Sequence, residues 1–149
     1  MPVRLTAPLI KDFVLVETDK KYGSGDESTK VTIKQASQID NERRSVVLAK
    51  TTRIIDKDTV GMDRFKLQSE WSMAELMRLE SRLTIVGCNI EDMEGKQLFK
   101  FKIDNGLPVL DMSDREFEKA WGQLPGEIAL EIYSKVLEVN FDWQNPLVE

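Results

Sequence analysis

The chain has 149 residues, of which 41% are hydrophobic and 32% are charged, and its formal net charge at pH 7 is −5. This length suits one domain with a buried core, and the composition excludes global disorder. The absence of histidine, together with a single cysteine at Cys88, excludes Ser-His-Asp and Cys-His nucleophilic sites and leaves too few soft ligands for nearly every zinc site. We therefore expect a single domain over residues 1–149 that is not an enzyme.

The sequence shows no sign of a membrane span or of a signal peptide. No apolar run approaches the roughly 20 residues that a membrane span requires. The first residues, MPVRLTAPLIKDFVLVETDKK, place prolines where a signal peptide has its apolar centre, and Lys and Asp follow soon after. We expect a cytosolic protein.

The charge is unevenly distributed along the chain. Residues 103–149 contain ten acidic and three basic side chains and carry −7, so the first 102 residues are about neutral. An acidic C-terminal region disfavours binding to a phosphate backbone, which requires clustered Lys and Arg. The basic side chains of NERRSVVLAKTTR, residues 41–53, are interleaved with apolar ones on a predicted helix. The sequence therefore predicts no nucleic-acid partner.

The N-terminal part predicts a strand, a loop and a second strand. In FVLVETD, residues 13–19, apolar side chains alternate between two faces, which is typical of a short strand. The segment KKYGSGDESTK is rich in Gly, Ser and charge, and it predicts a mobile loop over residues 18–30. VTIKQA, residues 31–36, again alternates as a strand. The two strands would form a hairpin.

A helix is predicted over residues 38–52. Ser37 or Asp40 can cap it, because either side chain can accept a hydrogen bond from a free N–H of the first turn. No Gly or Pro follows before Asp56, but the β-branched residues of TTRII, residues 51–55, would also fit a strand. The sequence leaves this boundary open and predicts a turn region in DKDTVGMD.

The central part predicts a strand, a helix and a further strand. RFKLQSEW, residues 64–71, alternates as a strand, whereas apolar side chains have helical spacing over residues 73–83. Ser72 and Glu75 match a capping box at the start of this helix. LTIVGCNI, residues 83–90, predicts a buried strand in which Cys88 acts as a small hydrophobic side chain.

A turn and another strand are predicted next. EDMEGK, residues 91–96, has the composition of a turn. QLFKFKI, residues 97–103, alternates as a strand whose Phe-bearing face is expected to be buried. With the helices predicted at the C-terminal end, these short strands indicate an α+β fold.

Two helices are predicted at the C-terminal end, over residues 113–121 and 125–139. Ser113 and Glu116 match a second capping box, and Gly122 is expected to end the first helix in the left-handed conformation. Pro125 then begins the second helix, where its missing N–H has no cost. Helical spacing predicts one buried seam across both helices, formed by Phe117, Trp121, Leu124, Ile128, Ile132 and Val136.

The opposite face of the second helix is acidic. Its glutamates lie away from the buried seam and are expected to be solvated, with Glu131 pairing with Lys135 one turn later. Exposed charges and aromatic side chains can bind a partner protein, and the tail over residues 141–149 supplies two aromatic residues. The candidate partner-binding residues are therefore Glu127, Glu131, Glu138, Phe141 and Trp143.

No motif in the sequence predicts catalysis or a bound cofactor. The carboxylates of DKD, residues 56–58, and of EDMEG, residues 91–95, lack the spacing of an EF-hand loop. GSG at residues 23–25 lacks the spacing and the Lys of a phosphate-binding loop. We expect no catalytic, cofactor or metal site.

Three segments together carry a resemblance: IKQASQIDNERRS (33–45), FEKAWGQLP (117–125) and VLEVNFDW (136–143). They resemble the tail assembly chaperones of long-tailed, siphovirus-like bacteriophages. The second segment resembles their Phe-x-x-x-Trp-x-x-Leu-Pro element, and the third resembles the Val-Asn-Pro-x-Trp ending of their last helix. Phe141 stands where that ending has a proline. The resemblance covers roughly residues 30–143.

The resemblance implies a non-catalytic tail assembly chaperone. Such proteins bind the long, helical tape measure protein and recruit tail tube subunits in the host cytoplasm before the tail polymerises, and they need no cofactor. Self-association into a homo-oligomer is compatible with this role. Two other classes also fit the residues. One is a structural virion protein such as a head–tail connector or tail terminator subunit, and the other is a small acidic regulator or inhibitor of a host protein.

Overall fold

The helices and strands form an α+β fold, which confirms the predicted fold class. The computed structural model describes residues 2–23, 25–54 and 62–143, and side chains are not described within residues 49–54 and 62–72. The elements in chain order are β1 (Ile10–Val14), α1 (Val16–Tyr22), β2 (Lys30–Lys34), α2 (Gln38–Ile54), α3 (Met62–Thr84), β3 (Ile85–Cys88), β4 (Phe101–Asp104), β5 (Leu107–Leu110), α4 (Asp114–Gly122), α5 (Gly126–Val139) and a 3-10 turn (Phe141–Trp143).

An antiparallel sheet with the strand order β1-β2-β3 supports one side of the core. β1 and β2 pair over their whole lengths, and β3 pairs with the other edge of β2. Val31 and Ile33 of the central strand are fully buried because α5 packs against β2. The predicted hairpin of two N-terminal strands is therefore present.

The first predicted strand is displaced, and the predicted loop is shorter than expected. The strand ends at Val14, and residues 16–22 form helix α1 instead of continuing the strand or entering a loop. Leu15 is fully buried between the two elements. A helix of 7 residues is marginal by itself, so tertiary contacts must hold it, and a local pattern does not reveal such contacts. The mobility of the rest of residues 18–30 stays a prediction.

Helix α2 begins with a reciprocal cap that uses both predicted candidates. The backbone N–H of Asp40 donates to the Ser37 hydroxyl at 3.3 Å, and the N–H of Ser37 donates to the Asp40 carboxylate at 2.9 Å. The helix continues to Ile54, which decides the open boundary in favour of a helix over a strand at TTRII. The turn predicted at DKDTVGMD falls largely on residues 55–61, outside the described residues.

Helix α3 overturns the prediction of a strand at residues 64–71. It runs without interruption from Met62 to Thr84 and includes the predicted helix at 73–83. Ser72 lies within this helix, so the predicted capping box with Glu75 is wrong. The physical reason is that no Gly or Pro interrupts the segment and most of its residues are good helix formers, so the short alternation was a weak signal.

The predicted turn at residues 91–96 is confirmed, but the strand after it begins later than predicted. The N–H of Gly95 donates to the carbonyl oxygen of Asp92 at 3.1 Å, which closes the turn. β4 starts at Phe101 instead of residue 97. Phe99 is buried and Phe101 is half-buried, but Ile103 on the same face is 70% exposed because it approaches the exposed end of a hairpin.

The hairpin formed by β4 and β5 is absent from the predicted elements. Asp104 pairs with Leu107 around a two-residue turn, Asn105-Gly106, whose φ angles are 51° and 78°. Both central residues of such a turn need a positive φ, which Asn and Gly adopt most readily. The Asn-Gly pair was therefore the signal that could have predicted β5.

The C-terminal helices follow the prediction except at the junction between them. The Ser113–Glu116 capping box is present, with both reciprocal bonds at 3.2 Å. Gly122 is not left-handed; the chain instead tightens after α4, where the N–H of Leu124 donates to the carbonyl of Trp121 at 3.1 Å. Pro125 occupies the N-cap of α5.

The predicted seam forms the centre of the core. Five of its members are buried, and Leu124 is half-buried against the same cluster. The ring centroid of Phe117 lies 5.5 Å from that of Phe99 and 5.8 Å from that of Trp121, so the seam continues into an aromatic group. The tail contributes as well, since Trp143 is buried in this core.

Replacing Trp121 by alanine should destabilise the protein by about 3–5 kcal/mol, because the change leaves a large cavity beside Phe117. Urea unfolding monitored by circular dichroism measures this loss. Trp121→Phe, which keeps an aromatic ring at the site, should lose less than half as much. A stability of Trp121→Ala close to that of the original protein would contradict the assigned core.

Cys88 should react slowly with thiol reagents. Strand β3 is present as predicted, but Cys88 is half-buried instead of fully buried, and it packs against the core. Its burial raises the pKa of the thiol from 9.0 to about 11. At pH 8 the reactive thiolate should therefore be roughly a hundredfold scarcer than for a free cysteine. Labelling with a chromogenic disulfide measures this, and a native rate equal to that in denaturant would contradict it.

Candidate protein-binding surface

Helix α5, which carries most of the predicted partner-binding residues, contacts other elements on three sides. Ile128, Ile132 and Val136 are buried, and the helix packs against β2. One flank of α5 contacts α1, and the other contacts α3. The side of α5 that points away from β2 carries the exposed residues Leu130 and Ser134.

Glu131 is the residue through which α5 holds α1. Its carboxylate accepts hydrogen bonds from the N–H of Glu17 at 3.0 Å and from both the N–H and the hydroxyl of Thr18, at 2.9 and 2.6 Å. Leu15, the N-cap residue of α1, makes no side-chain cap. Glu131 therefore satisfies the free donors at the start of a helix that lies 113 positions away in the sequence.

The hydrogen bonds of this cap lower the pKa of Glu131. Partial burial raises its pKa, but the hydrogen bonds from Thr18 and Glu17 favour the charged form, and the net result is a pKa below the ordinary value of 4.5. The carboxylate thus has a structural role in holding α1. Because Glu131 is half-buried, the prediction that it is solvated is only partly correct; the donors that cover it belong to α1, a helix that the sequence pattern does not predict.

The other two glutamates of the acidic face are also near cations of the N-terminal region. The Glu127 carboxylate accepts from Lys21 Nζ at 2.8 Å, and Glu138 lies 3.9 Å from Lys11 Nζ. Lys135 also approaches Glu138, at 3.9 Å, and its Nζ lies over the ring of Phe13, so the predicted pair with Glu131 is not formed. Glu127 and Glu138 themselves remain exposed.

The structure separates the two aromatic candidates of the tail. Trp143 is only 1% exposed; its indole N–H donates to the Asn41 side-chain oxygen at 2.9 Å, and the guanidinium of Arg44 lies 5.2 Å from its ring. Trp143 is therefore a core residue that joins the tail to α2. Phe141 is 74% exposed and is the aromatic candidate that a partner can contact.

A buried polar cluster lies on the α3 side of α5. Glu80 is fully buried and accepts from Arg44 Nε at 3.1 Å and from the Tyr133 hydroxyl at 3.0 Å. Burial raises the pKa of Glu80, although these two hydrogen bonds act in the opposite direction. Such a shift can mark a functional site. Glu80 lines neither the cleft beside α1 nor the cleft between β2 and β5. Because its hydrogen bonds join α3 to α2 and α5, we interpret the cluster as structural.

The open side of α5 carries an apolar row that the sequence analysis did not single out. Leu130 is 60% exposed, Ser134 is exposed, and Leu137 is half-buried at the edge of the core. Positions 130, 134 and 137 follow the spacing of one face of α5, which ends at Val139. We define the row as these three positions together with the exposed Phe141 of the 3-10 turn that follows the helix. The signal was present in the sequence, since Leu130 and Leu137 fall outside the buried stripe of Ile128, Ile132 and Val136.

None of the helices within the described residues combines the length and apolar character that crossing a membrane requires. The Asp, Glu and Cys side chains of the same described residues form no group of three or more that could hold a metal ion. The carboxylates at residues 56–58 lie outside the described residues.

Comparisons with protein-family models, curated proteins and solved structures found no match for this chain. The geometry of α5 is therefore the basis for a functional proposal, together with the resemblance of the three short segments.

Replacing Glu131 by glutamine should lower the stability at pH 7 by about 1 kcal/mol, the usual size of a helix cap. The folded pKa of Glu131 is lowered, so its contribution is present above about pH 4.5 and is lost as the pH falls through the lowered value. The stability difference from the original protein should therefore disappear in acid. Urea unfolding at several pH values measures it.

Glu138→Gln provides the control, because its ion pairs are long and exposed and should contribute less than about 0.5 kcal/mol. Equal losses for the two variants, or a loss for Glu131→Gln that does not change with pH, would contradict the cap.

Proposed function

We propose that this protein is a non-catalytic protein-binding module whose partner is an amphipathic α-helix that lies along the open side of α5. The observation that carries the proposal is the row from Leu130 to Phe141, in which Leu130 and Phe141 are exposed, on and just after a helix that packs against β2, α1 and α3. Such a row is the kind of surface that an apolar helix face covers in helix-in-groove recognition. From position 130 to 137 the helical part of the row spans about 10 Å, or about two helical turns.

The charges beside the row define the expected partner further. Glu127 and Glu138 border the row on the α1 side and are exposed, and the C-terminal region as a whole is acidic. Their present ion pairs with Lys21 and Lys11 are exposed and hence weak. A partner helix with Lys or Arg next to its apolar face would therefore be attracted and oriented by this edge.

On the resemblance, we propose more specifically a tail assembly chaperone of a long-tailed bacteriophage, which acts in the host cytoplasm. The partner helix would then belong to the tape measure protein, and tail tube subunits would be recruited to the complex. Phe117, Trp121 and Trp143, which carry much of the resemblance, are buried. They support a shared fold and do not form a shared binding surface.

Phe141 is the aromatic residue of the proposed binding row. It stands where the family ending has a proline, and it is the most exposed apolar residue of the row. The contact that it makes would therefore distinguish this chain from its proposed relatives, in agreement with the frequent use of aromatic side chains as binding anchors.

The double variant Leu130→Gln/Phe141→Gln should weaken binding to a basic amphipathic helical fragment of a phage tape measure protein. We expect the Kd to rise about tenfold or more, since the variant removes two apolar anchors. Titration calorimetry measures the affinity. Glutamine keeps the helix propensity at position 130, so the fold should be retained.

The matched control is Ile103→Gln, which changes a comparably exposed apolar residue on β4. It should leave the Kd unchanged. No binding by the original protein, or an equal loss in the control, would refute the proposed surface. A ring of fixed size that remains in finished particles would instead indicate a structural virion protein.

A further inference from the structure

The first residues of the chain form an exposed arm, which we define as residues 2–9. Val3 and Leu5 are 91% and 94% exposed, and no helix or strand includes any residue of the arm. The arm is held to the sheet at its end, where the N–H of Gln35 donates to the carbonyl of Leu9 at 2.7 Å. Alternating apolar side chains on an extended, exposed segment are typical of a strand or arm that binds another surface.

A cleft of about 520 Å³ lies on another part of the molecule, between the end of α1, the loop after β3 and the junction of α4 and α5. This volume is within the range of about 300–1,000 Å³ that accommodates a ligand or a few side chains. Its apolar lining consists of Ile90, Met93, Leu98, Leu124, Pro125 and Ile128.

The charges of the arm and the cleft are complementary. The charged residues that line the cleft are Glu27, Glu91 and Asp92, and its described lining contains no Lys or Arg. The arm contains one charged residue, Arg4, and no acidic residue. An apolar segment with one guanidinium therefore fits a cleft that is lined by apolar and acidic side chains.

The polarity of β1 places the arm and the cleft of one copy at opposite ends of the sheet. The arm joins β1 at Ile10, which pairs with Lys34, whereas Val14 at the other end pairs with Lys30. The cleft-lining residues Ser28 and Thr29 directly precede Lys30. Because β1 runs from the arm towards the cleft, an extended arm points away from the cleft of its own chain.

We propose that the arm of one copy binds in the cleft of a second copy. The two surfaces differ, so the contact is heterologous, and each bound copy leaves a free arm at one end and a free cleft at the other. The association is therefore head to tail, and it forms either a ring or an open chain. This association does not depend on the proposed function, because neither Leu130 nor Phe141 takes part in the contact between arm and cleft.

Disulfide trapping between two different variants tests the contact directly. In a Cys88→Ala background, protein with Leu5→Cys is mixed with protein carrying Met93→Cys, and the mixture is oxidised gently. Both substituted positions are highly exposed, so both variants should fold. We expect a disulfide-linked heterodimer, detected on a non-reducing gel and confirmed by mass spectrometry of the linked peptides.

The control replaces Met93→Cys by Ile103→Cys, which is exposed but does not line the cleft. The heterodimer yield should then be several-fold lower. Equal yields with both partners would overturn the proposal, because they would show random collision instead of a specific contact.

Sedimentation velocity supplies the second measurement. The original protein should sediment faster as its concentration rises, whereas deletion of residues 2–9 should leave a monomer at every concentration, and Arg4→Glu should shift association to higher concentration. A monomeric original protein, or self-association that survives the deletion, would overturn the arm contact. The deletion should leave binding of a helical fragment to α5 unchanged, so this proposal and the proposed function can fail separately.

Discussion

The burial of one face of α5 against β2 is the constraint on which the rest of the structure depends. Ile128, Ile132 and Val136 fix the rotation of the helix about its axis, because each lies in the core. With that rotation fixed, Glu131 meets α1 and Tyr133 meets Glu80 of α3. The same constraint leaves the row from Leu130 to Phe141 on the open side, so the proposed binding surface follows from how the core is packed.

The C-terminal end of α5 is also held by specific contacts. Residues of the segment VLEVNFDW, 136–143, make these contacts. The Asn140 side chain accepts from the N–H of Ala36 at 2.8 Å and donates to the carbonyl of Lys34 at 3.2 Å, which ties the helix end to the chain after β2. Trp143 then enters the core beside α2. Between these two anchors, Phe141 is directed outwards. The buried residues of this segment thus hold Phe141 at the surface, where the proposed partner can contact it.

Sequence patterns predicted the parts of the fold that local physics decides. The reciprocal cap at Ser113 and the buried stripe of α5 depend on residues three or four positions apart, and both are present. On the acidic face, Glu127 and Glu138 are exposed as predicted, but Glu131 is half-buried because it binds Thr18, a partner distant in sequence that periodicity cannot reveal. The strand predicted at residues 64–71 failed for another reason, since a brief alternation competed with the helix propensity of a long segment. The exposed row could have been predicted from Leu130, because this residue falls outside the buried stripe of α5.

The central claim is that a partner helix binds the open row of α5 while α1 stays docked on the acidic flank. Nuclear magnetic resonance of the isotope-labelled protein, titrated with a basic amphipathic helical fragment of the proposed tape measure partner, tests it most directly. The account predicts that the largest changes occur at Leu130, Ser134 and Phe141, while the amides of Glu17 and Thr18, which donate to Glu131, keep their shifts and their slow hydrogen exchange. Loss of protection at Glu17 and Thr18 with an unchanged Leu130 would contradict it, because the partner would then have displaced α1 and bound the acidic flank.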